Sequence, residues 1–288
     1  MTQMPGSISA ELDRAAGLFG DSGCFTPRLD AEVLLAHVLG VDRCFLIREA
    51  SREIGPCELD AFGALVRRRV AREPVAYLTG SREFWSYLVT TDSRALIPRP
   101  ESETLIEEAA ELFTAGKPMT FADIGCGSGC LAVTLGGIFT GSSGIACDID
   151  PQALALARQN IEAANLTERV EARLGDLLDP LEGRRVDLIC ANLPYVPTGE
   201  LATLVPEVRD FEPIRALDGG IDGLEQIRRL IRGAPDGLAP GGWLLVEVGA
   251  GQFAEVTRLC EAAGLEGVHT RRDLRGIQRM VAARWGEY

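Results

Sequence analysis

From Ile8 to about Tyr77 the apolar residues recur at helical spacing: Leu12, Ala16 and Leu18-Phe19, then Ala31, Val33-Leu34-Leu35 and Val38-Leu39, then Leu59, Phe62, Leu65-Val66 and Val70. Gly40, Gly55-Pro56 and Pro74 interrupt the pattern, and Asp42 and Asp60 are candidate caps or first-turn residues. Arg67-Arg68-Arg69 with Arg72 reads as a solvated helix face. The pattern predicts a small helical domain over residues 1–77. From Tyr77 to Ile97 the character changes. Glu83-Phe84-Trp85 and Tyr87-Leu88-Val89-Thr90-Thr91 are aromatic and β-branched, with Gly80 and Asp92-Ser93 as turn material, which predicts a hairpin linker over residues 78–97. After Pro98-Arg99-Pro100 a helix is expected from about Ser102 to Phe113, with acids at its start as the helix dipole favours.

From Met119 onward strand and helix patterns alternate. Strands are predicted near Thr120–Ile124, Gly144–Ile149, Val170–Leu174, Val186–Ala191, Trp243–Val248, Gly267–Arg271 and Gln278–Ala283. Helices are predicted at Cys130–Gly136, Pro151–Ala164, Leu224–Arg232 and Gln252–Ala263. Parallel strands need crossover connections, so this alternation predicts an α/β domain over residues 98–288: a mostly parallel, Rossmann-like sheet covered by helices on both faces.

The chain has 288 residues, 46% of them hydrophobic, which is material for two cores. Its net charge of −13 argues against gripping phosphate backbones as its main task. The eight cysteines contain no C-x-x-C pair and read as free thiols in a reducing compartment. The segment from Met1 to Phe19 carries Glu11, Asp13 and Arg14 and has no long apolar core, so neither a signal peptide nor a membrane anchor is expected there. No stretch approaches the roughly 18 apolar residues of a spanning helix. A cytoplasmic protein is expected. The two histidines, His37 and His269, stand outside any ligand-like cluster, so no metal site and no Ser-His-Asp chemistry is expected.

Two loops carry the chemistry. Asp123-Ile124-Gly125-Cys126-Gly127-Ser128-Gly129 follows a strand and opens a helix, where glycines permit tight turns and close approach of a ligand to the backbone. A dinucleotide fingerprint would place its third glycine at position 130, which is Cys130. G-x-G-x-G with an acid two residues before it favours S-adenosylmethionine over NAD. Asp123 is expected to organise the loop and to meet the amino group of that donor, directly or through water. Asp148, ending the next strand, is expected to accept from both ribose hydroxyls, and Asp176 from the adenine amine, with Leu177 flanking the ring.

The second loop, Asn192-Leu193-Pro194-Tyr195, follows the strand Val186–Ala191. An amide or aromatic amine is a weak nucleophile, because its lone pair is delocalised into the attached π system. Two acceptors aimed at its two N–H bonds, the Asn192 side-chain oxygen and the Leu193 carbonyl, would localise that pair and direct it at a methyl group. Tyr195 would stack on the flat acceptor and Pro194 would fix the backbone beforehand. Asn192 is placed among the donor-binding residues as well. No general base is required, since the nitrogen becomes acidic once methylated. The two loops together read as a methyltransferase acting on a planar nitrogen.

Further segments carry a resemblance: Glu73-Pro74-Val75-Ala76-Tyr77-Leu78-Thr79-Gly80, Arg82-Glu83-Phe84-Trp85, Leu96-Ile97-Pro98-Arg99-Pro100-Glu101-Ser102-Glu103, Phe211-Glu212-Pro213 and Asp273-Leu274-Arg275-Gly276-Ile277-Gln278-Arg279. With the two loops, they resemble the bacterial peptide chain release factor protein-(glutamine-N5) methyltransferase family over nearly the whole chain. The resemblance implies a class I methyltransferase fold, S-adenosyl-L-methionine as donor and class I release factors as protein substrate. The acceptor would be the glutamine of their Gly-Gly-Gln motif, and the N-terminal domain would help to hold the substrate. The family usually has Asn-Pro-Pro-Tyr where this chain has Leu193. Asn-Leu-Pro-Tyr also resembles the motif of ribosomal RNA adenine dimethyltransferases, so an adenine-N6 methyltransferase on RNA or DNA stays open. A donor-binding fold serving as a non-enzymatic partner module is the third alternative. Arg99 and Glu101 are expected near the cleft, either closing over substrate or as a salt-bridged cap. Glu247, in Val246-Glu247-Val248-Gly249 at a strand end, could support the pocket, though no role is assigned to it from sequence.

Overall fold

The computed structural model describes residues 6–286. Contacts divide it into two units. One runs to Gly80 and takes in Val205–Phe211, and the other comprises Ser81–Leu204 and the chain from Glu212 onward.

In the first unit the helical periodicity gives α1 (Ile8–Asp21), α2 (Pro27–Leu39), α3 (Arg43–Arg48), α4 (Pro56–Val70) and α5 (Val75–Thr79). Ile8, Leu12, Ala15 and Phe19 of α1 meet Leu34 and Leu35 of α2 and Phe62 of α4 in one core. Asp42 caps α3 by accepting from the Phe45 amide at 2.7 Å. Asp60 is not a cap. It lies inside α4, whose start is set by Pro56 in the first turn and by Glu58, which accepts from the Gly55 amide at 2.8 Å.

The arginine run is not wholly solvated either. Arg69 is buried, donating to Asp30 at 2.8 Å and to Glu207 at 2.9 Å, while Arg72 grips both oxygens of Glu207. Glu207 belongs to a short helix, Pro206–Arg209, within Val205–Phe211. That clamp explains why a segment placed by sequence in the catalytic domain packs with the helical unit.

The second unit opens with the hairpin β1 (Ser81–Phe84) and β2 (Tyr87–Thr90), closed by the two-residue loop Trp85-Ser86. Trp85 sits at φ 58°, and its amide donates to Glu103 at 2.8 Å, which offsets part of the cost of a left-handed aromatic residue. There follow α6 (Glu103–Leu112), β3 (Met119–Ile124), α7 (Cys130–Ile138), β4 (Ser142–Asp148), α8 (Pro151–Ala163), β5 (Val170–Leu174) and β6 (Val186–Ala191). With Pro206–Arg209 counted as α9, the chain continues through α10 (Glu225–Gly237), β7 (Leu238–Glu247), α11 (Phe253–Ala262), β8 (Glu266–Arg272) and β9 (Gln278–Arg284).

Several boundaries depart from the sequence pattern, among them the start of β7, which is Leu238 and not Trp243. Ile149 lies outside β4, and α10 continues past Arg232 to Gly237. Pro235 falls in the last turn of α10, where its missing N–H removes a single ladder bond, and the buried stripe Ile227, Leu230, Ile231 and Ala234 continues beside it.

The seven strands lie in the order β5-β4-β3-β6-β7-β9-β8. The first five are mutually parallel, whereas β9 runs antiparallel to both β7 and β8. One apolar layer, including Phe121, Leu135, Leu188 and Leu245, and another, including Ile124, Ile189, Leu230 and Val246, cover the two faces. From β3 the chain first moves outward to β4 and β5, then returns to pair β6 with the other edge of β3. The strand order therefore reverses between β3 and β6, and the carboxyl ends there open a crevice. Among the described residues no helix is long and apolar enough to cross a membrane.

Candidate active site

The register pairs Ile124 of β3 with Ala191 of β6, so Gly125 and Asn192 leave the sheet side by side at the crevice. A cleft of about 700 Å³ opens there. Of the residues expected at the site, Gly125, Cys126, Gly127, Ser128, Asp148, Asp176, Leu177, Asn192, Leu193 and Pro194 line it. Asp123, Gly129 and Tyr195 are not among the lining residues.

The donor loop is shaped by close packing. Gly125 sits at φ 70°, and a Cβ there would lie 2.7 Å from Cδ2 of Leu193. Gly129, at φ 78°, presses against α8, where a Cβ would lie 3.1 Å from that of Ala157. Leu193 is itself buried, its side chain packed over Gly125, so the residue that departs from the family pattern joins the two loops. Burial pushes the Cys130 thiol up to about 12 and raises that of Cys126, which leaves both protonated and unreactive at neutral pH.

Three carboxylates stand on the donor side. Asp123, at the end of β3, is wholly buried beneath the loop. Its Oδ2 accepts from the Ala132 amide at 3.0 Å, and Oδ1 has no partner among the described residues. Burial, with the Asp148 charge adding to it, pushes the Asp123 carboxyl up to about 7. Asp148 ends β4, where Oδ2 accepts from Gly127 and Oδ1 from Asp150, both at 2.8 Å. Each oxygen keeps a lone pair for a further donor. Burial raises this carboxyl too. Asp176 lies at the rim, gripped through both oxygens by Arg229 at 3.3 and 2.5 Å. Leu177 beside it holds a left-handed φ of 47°, a strain of about 1–3 kcal/mol concentrated where the loop meets the cleft.

Sequence reasoning missed two apolar walls. Ile149 and Ile214 are 53% and 62% exposed, yet both line the cleft. Large aliphatic side chains kept open to a concave site suit a flat, weakly hydrated ring. The available signal was Ile149 directly after Asp148, but it was absorbed into the strand pattern.

On the acceptor side, Asn192 Nδ2 donates to Ser102 Oγ at 2.9 Å, and Ser102 Oγ donates to Glu247 Oε2 at 2.5 Å. Glu247 Oε1 receives the Tyr195 hydroxyl at 3.1 Å. The Tyr195 ring packs against the core and Gly249, and its carbonyl accepts from Gln252 at 2.9 Å. Its hydroxyl is thus held by Glu247. Burial, then the Glu247 charge, raises the Tyr195 phenol, so it stays protonated and able to donate to Glu247. Glu247 is completely buried, and burial pushes its carboxyl up to about 7.

Arg99 lines the cleft and is paired with buried Glu212 at 2.5 Å, a carboxylate that also accepts from the Ile97 amide at 3.2 Å. The other cleft-lining arginines are paired likewise: Arg94 with Asp92, Arg215 with Asp150 and Arg229 with Asp176. Glu101 does not line the cleft.

Two family models match the chain, the PrmC N-terminal domain over residues 12–80 and the methyltransferase small domain over residues 102–207. The release factor glutamine methyltransferase of Geobacter sulfurreducens is 40% identical over 288 residues, covering 99% of this chain and 100% of that protein. Its namesake from Cereibacter sphaeroides is 45% identical over 258 residues, 88% of this chain and 90% of that one. Among solved structures, the hMettl16 catalytic domain in complex with the MAT2A 3′UTR hairpin 6 shares the fold at a TM-score of 0.58 and 20% identity, over 76% of this chain and 81% of that one. The T. thermophilus 16S rRNA methyltransferase RsmC, in complex with AdoMet and guanosine, does so at 0.52 and 19%, over 71% and 49%. Likeness at that level concerns the fold, whereas the end-to-end match at 40% identity concerns the whole chain: it belongs to the release factor glutamine methyltransferase family.

Proposed function

We propose that this protein methylates the side-chain amide nitrogen of the glutamine in the Gly-Gly-Gln motif of class I peptide chain release factors, with S-adenosyl-L-methionine as donor. The observation that carries the reading is the held Asn192 amide. Its Nδ2 is committed to Ser102, which leaves Oδ1 to the cleft as an acceptor next to the Leu193 carbonyl. A primary amide presents two N–H groups to that pair. Accepting from both localises the nitrogen lone pair, and the preformed geometry needs no rearrangement during reaction.

The residues present fit the donor. Asp123 offers a buried carboxylate oxygen with no partner among the described residues toward the positive end of the methionine part, through the loop or a water, because it does not reach the cleft wall itself. Asp148 retains a lone pair on each oxygen and would hold the ribose hydroxyls, and Asp176 and Leu177, which line the cleft with Ile149 and Ile214, would hold the adenine. When bound, S-adenosylmethionine supplies an electrophilic methyl group on a sulfonium. Asn192 and Leu193 hold the acceptor nitrogen, Leu193 over Gly125 ties their loop to the donor loop, and the nitrogen proton leaves to solvent after methylation.

An adenine amine would satisfy the same two acceptors. A nucleic acid, however, also brings phosphates, and each arginine lining the cleft is already engaged by a carboxylate, in a chain of net charge −13. A protein substrate has no such requirement, and the helical unit is assigned to holding it.

The test is transfer of label from radiolabelled donor to purified release factor, wild type against a Gln→Ala change in its Gly-Gly-Gln motif. Label on the first and none on the second is expected, and equal labelling would refute the reading. Asn192→Ala should lower turnover by roughly 10²–10³.

A further inference from the structure

We propose that Ser102 and Glu247 are positioning residues, a hydrogen-bond relay that fixes which atom of the Asn192 amide faces the acceptor. The inference rests on the role given to Asn192 above. A serine hydroxyl has one proton. Ser102 Oγ lies 2.5 Å from Glu247 Oε2 and 2.9 Å from Asn192 Nδ2. An ionised carboxylate only accepts, so the serine proton goes to Glu247 and Ser102 can only accept from Asn192. An Asn192 turned by half a rotation would set Oδ1 against a serine lone pair, with no proton between them. The amide therefore has one satisfied orientation, with Nδ2 toward Ser102 and Oδ1 toward the cleft. Glu247 Oε1 receives the Tyr195 hydroxyl at 3.1 Å, so a single carboxylate holds both ends of the Asn192–Tyr195 loop.

Glu247 stands at the end of β7 and Ser102 just before α6, and neither contacts the reacting atoms in this scheme. Beyond Ser102 and Tyr195, the charged or titratable groups facing Glu247 are Arg279 of β9, Glu101 ahead of α6, and the thiols of Cys130 and Cys190. Burial, opposed by the two hydrogen bonds and by Arg279, pushes the Glu247 carboxyl up to about 7. The neutral acid carries its own proton and admits the reversed chain, in which Ser102 donates to Asn192 Oδ1 and Nδ2 turns outward. The relay thus works with Glu247 ionised, and turnover falls as pH drops through about 7.

The test measures kcat, KM for release factor and donor affinity across pH for wild type, Ser102→Ala, Ser102→Thr, Glu247→Gln and Asn192→Ala. Ser102→Ala and Glu247→Gln are expected to lower kcat by about 10- to 100-fold, the scale of a misplaced reacting group, with S-adenosylhomocysteine affinity unchanged. Ser102→Thr, which keeps the hydroxyl, should recover most of the activity, and the acidic limb of the kcat profile should vanish in Glu247→Gln. Thermal unfolding of each variant separates loss of fold from loss of orientation. Ser102→Ala and Glu247→Gln turning over within two-fold of wild type, equal losses in Ser102→Thr and Ser102→Ala, or an unchanged acidic limb in Glu247→Gln would overturn the relay. If Asn192→Ala itself retains turnover, the assignment of the acceptor site has failed instead.

Discussion

Replacing Asp123 by Asn tests how the buried acids of the donor side work. The carboxyl is wholly enclosed, with one amide donor at Oδ2 and no partner at Oδ1 among the described residues. Its pKa rises from 3.8 to about 7, and three units at about 1.36 kcal/mol each make ionisation in the fold cost about 4 kcal/mol. The unfolded chain releases this proton near 3.8 and the folded chain near 7. Stability from protonated Asp123 is therefore complete below 3.8, declines as pH rises, and is gone above about 7. Asn keeps an acceptor for the Ala132 amide, has nearly the same shape and never ionises. The unfolding free energy of Asp123→Asn minus that of wild type should grow by about 1.4 kcal/mol per pH unit between about pH 4 and pH 7, then level off.

Urea denaturation at several pH values measures this difference, and taking it as a difference removes the titration of groups common to both proteins. S-adenosylhomocysteine carries the same ammonium as the donor, so its binding should draw Asp123 into its charged form. Calorimetry near pH 7 in buffers of different ionisation enthalpy should then show proton release in wild type and none in Asp123→Asn. The variant should be the more stable protein at pH 8 and the poorer binder, the exchange expected where a site is kept at the expense of stability. A stability difference independent of pH, or equal proton release in both proteins, would refute the reasoning.

Gly125→Ala must place a Cβ 2.7 Å from Leu193 Cδ2 at φ 70°, so donor affinity and turnover should fall together, with partial recovery in the double variant with Leu193→Ala. Glu207→Ala leaves Arg72 without its carboxylate and the buried Arg69 with the Asp30 carboxylate and the Glu73 carbonyl; a loss of about 3 kcal/mol in urea is expected, smaller for Glu207→Gln. For His269, burial lowers the pKa, but the Gly267 carbonyl and the Glu108 carboxylate raise it more, so the net shift is upward. Its stabilisation is complete below about 6.5 and is lost as pH rises through the higher folded value; His269→Ala should flatten thermal stability across that window.

The α/β architecture was legible because parallel strands must alternate with crossover helices, and the apolar runs at Phe121–Ile124 and Val186–Ala191 are too continuous for a half-exposed sheet. The loop after β3 and the loop after β6 were legible for a related reason, since chemistry in such a sheet gathers at carboxyl ends where the strand order reverses. Arg69 was not legible. A run of three arginines looks solvated, and nothing local announces an acid 39 positions earlier and another 138 positions later. Pro235 hid the end of α10, because a proline normally ends a helical pattern, whereas here the buried stripe carries the helix through it to Gly237. The partner of the Tyr195 hydroxyl, Glu247, was not legible either, since it lies 52 positions away.

Ser102 and Glu247 show why such partners escape a reading of sequence alone. Ser102 stands 90 positions from Asn192 and 145 from Glu247. The adjacency of β6 and β7 brings the ends of Asn192's strand and Glu247's strand together, while α6, packed on β7, β9 and β8, brings Ser102 to both. Each residue is unremarkable by itself: a serine ahead of a helix, a glutamate closing an apolar strand. What converts them into a relay is burial. The enclosure that excludes water from Glu247 obliges its two oxygens to find the Ser102 and Tyr195 hydroxyls, and the same enclosure pushes its carboxyl up to about 7. Geometry and protonation thus have one physical cause, so a substitution that lets water reach Glu247 should loosen Asn192 and lower the pH of the acidic limb together.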